Sequence, residues 1–167
     1  MAIIDTLLPE YDREMGTTRR LLERVPEAAF GFKPHERSMT LGNLTVHVAH
    51  LPTWVPNVMI FDSFDLASNP NTDTPQPHSA TDLLTRFDNN VSMARALLAK
   101  ATDGELAEPW TLKKGSQDLF TLPKLTMLRY FVLNHLIHHR GQLSVYLRLQ
   151  DVPIPAIYGP SADEGAF

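Results

Sequence analysis

"LNHLIHHRGQL", residues 133–143, sets three of the chain's seven histidines within five positions of an otherwise apolar run. The run belongs to the longest periodic segment of the chain, Lys124 to Gln150, about seven helical turns at 3.6 residues per turn. His135 and His139 stand four residues apart, so they lie ~40° from one another on one face, one above the other. Leu128, Val132, Gln142 and Tyr146 share that face within ~60°, which turns the row inward. Two imidazoles at this spacing can reach one metal ion. The glutamate of the helical H-E-x-x-H motif is missing, because Leu136 and Ile137 follow His135. His138, ~60° from His135 on the other side, reads as an interfacial residue or one that supports the pair from behind.

Outward from this segment the chain reads as three further helices. From Ile3 to Val25 the apolar positions Ile4, Leu7, Leu8, Tyr11, Met15, Leu22 and Val25 approximate one face, with Pro9 tolerated if the helix begins near it. A second helix opens at Thr40, a plausible N-cap, and carries Leu44, Val48, Leu51, Val55, Val58 and Met59 in a band ~100° wide. Pro52 and Pro56 should kink or interrupt it, since each lacks an N–H and crowds the preceding turn. Residues 62–79 form a turn-rich loop, after which Ser79 caps a third helix with Leu83, Leu84, Phe87, Val91, Ala94, Leu97 and Leu98 as its stripe and Gly104 as its stop. Residues 105–123 hold two short β-prone runs around Lys113-Lys114-Gly115-Ser116, a small hairpin or an ordered loop. The tail "DVPIPAIYGPSADEGAF" should be extended. Four long helices without a convincing sheet predict an all-α fold, a four-helix bundle with long inter-helix loops and an extended Pro-rich C-terminal tail, spanning 1–167 as one domain.

A third metal ligand is available on the second helix. His47 lies ~60° from the centre of that helix's apolar stripe and reaches the interior, whereas His50 lies ~120° away and faces outward. His47, His135 and His139 would then form a three-histidine site with coordination positions left open. The structural alternative for His47 is a core-edge histidine with a protein partner. A di-iron carboxylate centre needs inward carboxylates, and Leu119 to Gln150 contains no Asp or Glu. Nucleophilic hydrolysis lacks a G-x-S-x-G element.

Composition narrows the rest. With 167 residues the chain is long enough for a real core, and 43% hydrophobic and 20% charged residues are ordinary for a globular protein. The absence of cysteine excludes disulfides, thiolate ligands and a cysteine nucleophile, so any metal must be held by nitrogen or oxygen. A net charge of −4, with only isolated basic pairs such as Arg19-Arg20 and Lys113-Lys114, argues against nucleic acid. No stretch of eighteen apolar residues predicts a membrane span, and "MAIIDTLLPEYDREMG" does not read as a signal peptide, so a cytoplasmic address is expected.

"MTLGNLTVHVAHLPTW", "NHLIHHRGQLSVYLR" and "VPIPAIYGPSADE" together resemble the DinB family, also called DinB/YfiT-like metalloenzymes, over nearly the whole chain. The resemblance implies a four-helix bundle holding a divalent metal through His47, His135 and His139, with Zn or Ni first and Fe or Mn next. It further implies a homodimer, with the tail, Trp54 or Trp110 as interface candidates beside core packing. The implied chemistry is that of a thiol-dependent S-transferase or isomerase using a low-molecular-weight thiol; a hydrolase-like metal-dependent enzyme acting on another small-molecule substrate is the further expectation for such a site. His138, Gln142, Arg140 and Tyr146 are the residues expected to line or support the site, although Arg140 points ~100° from His139. The alternative is a non-catalytic, metal-stabilised dimeric scaffold or stress-related protein, its coordination closed by Asp163 or Glu164 from the tail.

Overall fold

The structure is a computed structural model that describes residues 1–68 and 77–165. In chain order its helices are α1 (Ile4–Leu22), α2 (Leu41–His50), α3 (Trp54–Ile60), α4 (Ala80–Leu98), the short α5 (Asp103–Ala107) and α6 (Lys124–Met127), and α7 (His135–Arg148). Its strands are β1 (Ser63–Asp65), β2 (Pro109–Lys114) and β3 (Gln117–Pro123).

Local chemistry explains most boundaries. The Thr40 hydroxyl accepts from the Asn43 N–H at 3.1 Å, and the Ser79 hydroxyl accepts from the Asp82 N–H at 3.0 Å, so both expected caps satisfy an orphan donor of the first turn. Pro52 breaks the second helix into α2, a 3₁₀ turn over Leu51–Thr53, and α3. Pro56 then falls in the first turn of α3, where its missing N–H has no helical acceptor to lose. Two boundaries differ from expectation. Pro9 sits inside α1, whose start at Ile4 precedes it by more than a turn. Gly104 does not stop the third helix, which ends at Leu98; it lies inside α5, opened by a capping box between Thr102 and Glu105.

The all-α four-helix bundle is corrected by the sheet. β1, β2 and β3 form a three-stranded mixed sheet, with β1 parallel to β2 and β2 antiparallel to β3. The hairpin turn places Gly115 at φ 60°, the left-handed value that a type II′ turn needs at its first central residue. The Gly115 N–H also donates to Asp65 Oδ1 at 2.8 Å, tying β1 to the turn. β1 falls within the stretch expected to be an irregular loop; residues 69–76 of that loop lie outside the described residues. The last helical segment is interrupted as well: between α6 and α7, residues Leu128–Asn134 are wound as a π-helix.

The core collects Leu7, Tyr11 and Met15 of α1, Leu44 and Val48 of α2, Val55 and Val58 of α3, Leu83 and Phe87 of α4, and Leu136, Leu143 and Leu147 of α7. Each such side chain contributes roughly 1.5–3 kcal/mol when removed from water. Trp110 of β2 is fully buried and its indole N–H donates to the Asn57 carbonyl at 3.1 Å, so it is a core residue rather than an exposed interface anchor.

The tail carries neither helix nor strand up to Glu164, yet it is held down at several points. Asp163 pairs with Arg148 and accepts the Ile154 N–H at 2.8 Å. Glu164 pairs with Arg20 and Arg24 and accepts the Ala156 N–H at 3.0 Å. Among the described residues no helix is long and apolar enough to cross a membrane.

Candidate metal centre

α2 packs along α7, and the seam between them carries the histidines. His47 comes from α2, His135 and His139 from α7. Each ring offers one nitrogen, and the three nitrogens lie within 4.8 Å of one another. His47 Nε2 and His135 Nε2 are 3.3 Å apart. Ring centroids are separated by 5.1 Å (His47–His135), 4.5 Å (His47–His139) and 4.7 Å (His135–His139). Two imidazole nitrogens on one tetrahedral zinc, each ~2.0–2.1 Å from it, stand ~3.3–3.4 Å apart, so the closest pair already has ligand spacing.

Two of the three rings are also oriented by neighbours. His139 Nδ1 lies 2.7 Å from Gln142 Oε1. An amide oxygen can only accept, so Nδ1 holds the proton and the Nε2 lone pair is left free. His135 hydrogen-bonds the backbone of Phe131, one turn earlier. Burial drives the His47 imidazolium pKa down to about 4, helped by repulsion from His139, His135 and His50. His135 is lowered by burial and then by His139, and His139 is lowered by burial against the opposing Gln142 bond. All three rings are therefore neutral at pH 7, the form that ligates metals. The donor set is nitrogen alone, which suits borderline first-row ions better than Mg²⁺ or Ca²⁺.

The other residues singled out in the sequence separate clearly. His50 stays outside the group, with Nε2 3.1 Å from Thr53 Oγ1. His138 is exposed and lies against the His139 ring in a T-shaped contact, at 4.8 Å between centroids. Gln142 is at the site, as described. Tyr146 is not directed to the histidines: its hydroxyl donates to the Met39 carbonyl at 3.2 Å and its ring meets Phe32 edge-on, which holds the 26–40 loop against α7. Arg140 is corrected most sharply, since it neither lines the site nor faces solvent. Only 1% of its surface is exposed; Nη2 lies 2.6 Å from Glu14 Oε2 as an ion pair, and Nη1 donates to the Glu14 carbonyl at 3.1 Å. Asp163 is engaged by Arg148 of α7, and Glu164 by Arg20 of α1 and by Arg24 just past its end, and among the described residues no carboxylate joins the three histidines.

Sequence reasoning missed a group of aromatic rings along the same seam. Trp54 stacks on Phe131 at 4.9 Å and meets Phe64 at 4.9 Å, and Phe131 stacks on Phe120 at 6.2 Å. Phe131, four residues before His135, was the available signal, but its partners come from the sheet.

These features define a class: a helical protein with a small capping sheet, whose interhelical seam carries three histidines able to hold a metal ion. The chain belongs to the DinB family, whose sequence model matches residues 3–166. It is 28% identical over 165 residues to the uncharacterized protein YrdA of Bacillus subtilis, covering 98% of this chain and 92% of that one. The fold is similar to the crystal structure of a DinB-like protein from Bacillus subtilis, YjoA, with a TM-score of 0.67, 22% identity, and 86% and 91% of the two chains covered. It is also similar to that of a DinB-like protein from Bacillus cereus, with a TM-score of 0.65, 21% identity, and 90% and 95% covered.

Proposed function

We propose that this protein is a metal-dependent enzyme of the thiol-transfer type, with Zn²⁺ or Ni²⁺ held by His47, His135 and His139. The observation that carries the reading is the 3.3 Å approach of His47 Nε2 to His135 Nε2 within a three-nitrogen group. One neutral imidazole can donate its N–H to the other at this distance, so the pair by itself is an ordinary hydrogen bond; the convergence of a third nitrogen, from His139, is what makes the group a ligand set.

A divalent cation bound there supplies Lewis acidity, lowering the pKa of a thiol or water in an open coordination position. The chain's own residues do the rest. His47, His135 and His139 bind through the nitrogens that face the seam. Gln142 keeps the His139 proton on Nδ1, so that Nε2 stays free to ligate. The Phe131 backbone fixes the His135 ring from the other side. Three protein ligands and no carboxylate among the described residues favour an open, catalytic-type shell over a sealed structural one, which takes four. Engagement of Asp163 and Glu164 by Arg148, Arg20 and Arg24 removes the tail acids as closing ligands and weighs against the scaffold reading.

Titration of chelator-treated protein with Zn²⁺ or Ni²⁺ should give about one ion per chain by calorimetry, lost in His135→Ala. Co²⁺-loaded protein should then develop thiolate-to-cobalt charge-transfer absorption when a low-molecular-weight thiol is added. Absence of metal binding would sink the whole reading; metal binding without a thiolate band would remove the thiol part alone.

A further inference from the structure

The aromatic rings missed in the sequence continue the histidine seam. Trp54 follows His47 by seven residues, about two turns, and Phe131, on the π-wound stretch Leu128–Asn134, precedes His135 by four, about one turn. His47 meets His135, and Trp54 meets Phe131, so the two helical stretches run antiparallel and the aromatic contact lies one to two turns beyond the histidine contact. The sheet closes this end. Phe64 of β1, Leu112 of β2 and Phe120 of β3 are neighbours in register, which puts them on one face, and Phe64 and Phe120 touch Trp54 and Phe131 respectively. Leu112 is buried behind them, but Trp54, Phe64, Phe120 and Phe131 each keep part of their surface in solvent. Trp110, two residues from Leu112 on the same strand, shows what a purely structural ring looks like here: it has no exposed surface and its N–H is bonded.

We propose that this wall is the substrate subsite for a flat apolar group, an aryl ring or its equivalent, on the molecule whose polar end occupies the open metal positions. The inference rests on the metal reading above and extends it to substrate class. A ring entering from the seam would lie against the solvent-exposed parts of Trp54 and Phe131, gaining both apolar burial and offset or edge contact, while its ligating end reaches the histidine group one to two turns away. The rings themselves are neutral, so recognition there selects shape and apolar surface rather than charge.

Benzohydroxamate and acetohydroxamate share one metal-binding head and differ only in phenyl against methyl. On Zn²⁺-loaded protein, calorimetry should show benzohydroxamate binding about tenfold tighter or more, with the gap largely closed in Phe131→Leu and Trp54→Leu while zinc uptake persists. Equal affinity of the two probes in the wild-type protein, or failure of both to bind the zinc-loaded form, would overturn the subsite. The two tryptophans supply a readout that does not depend on metal. In ¹H–¹⁵N spectra of the metal-free protein, benzohydroxamate should shift the Trp54 indole resonance and leave that of Trp110 in place. An unmoved Trp54 resonance at saturating probe, or the same shift with acetohydroxamate, counts against the wall even if zinc does not bind. Failure of zinc uptake by itself strikes the metal reading and not this one.

Discussion

His139 and Arg140 are neighbours in sequence and opposites in role. His139 faces the seam between α2 and α7, where its free nitrogen joins two others and one neighbour fixes the proton on the far side of the ring. Arg140 turns into the packing between α7 and α1, where Glu14, Thr18 and the ring of Tyr158 receive it, the last with the guanidinium carbon 5.0 Å from the ring centre. Tyr158 completes the cluster by donating to Glu14 Oε2 at 2.8 Å, which joins the tail to the two helices. Both residues are polar groups drawn out of water. The arginine's charge is answered inside the protein, so its role is architecture; the three histidine nitrogens converge, and one hydrogen bond between His47 and His135 leaves the third without a partner in the group, so their role is to receive something from outside.

Substitution of either neighbour should separate the two roles. His139→Ala should lower Zn²⁺ affinity roughly a hundredfold or more, because one of three ligands is gone. In the metal-free form its cost in stability should be ~1–2 kcal/mol, since His139 is buried but gives up no paired charge. Arg140→Ala should do the reverse. Removing one partner of a buried pair leaves Glu14 charged and unmatched, at a cost of ~3–5 kcal/mol in urea unfolding. Its zinc stoichiometry should survive at temperatures where the variant is folded. Loss of metal binding in folded Arg140→Ala would erase the distinction. A smaller effect sharpens it: Gln142→Leu keeps all three ligands but frees the His139 tautomer, and zinc affinity should fall about ten- to a hundredfold.

The smallest effect concerns the tail. Asp163 is held below the usual carboxylate range by the Arg148 hydrogen bond, then the Ile154 N–H, and further by the nearby charge of Arg24. Glu164 is lowered by the Ala156 N–H, then by Arg20 and Arg24. Folded values below the unfolded ones, ~3.9 and ~4.3, mean that the anchoring is fully present above about pH 5 and is lost as pH falls through the folded values. Hydrogen exchange at Ile154 and Ala156, normalised to intrinsic rates, should accelerate below about pH 4 while α7 amides stay protected. Unchanged protection at pH 2.5 would show that apolar contacts rather than these acids hold the tail.

How far the sequence could be read depended on the range of the interaction concerned. Thr40 and Ser79 announce their helices because a cap bonds a donor three residues away. Pro52 ends α2 for a reason contained in its own ring. The preference for His47 over His50 follows from helical angle alone, and the structure places His50 outside the group. By contrast, β1 is three residues long and pairs in parallel with a strand more than forty residues later, so nothing local marks it. Arg140 was placed by angle but not by partner, because Glu14 and Tyr158 lie more than a hundred residues before it and eighteen after it.

Periodicity and spacing therefore determined which residues share a helix face, and with it the inward row that holds His135 and His139. Tertiary structure alone decided what each face meets: that the histidine seam ends in a wall of rings from a sheet, and that Arg140 goes to α1. The reason is physical. An α-helix repeats every 3.6 residues by its own backbone geometry, which holds from His135 onward although the π-wound Leu128–Asn134 departs from it, whereas strand pairing and a buried charge are stable only when distant parts of the chain supply the matching donors, acceptors and apolar surface.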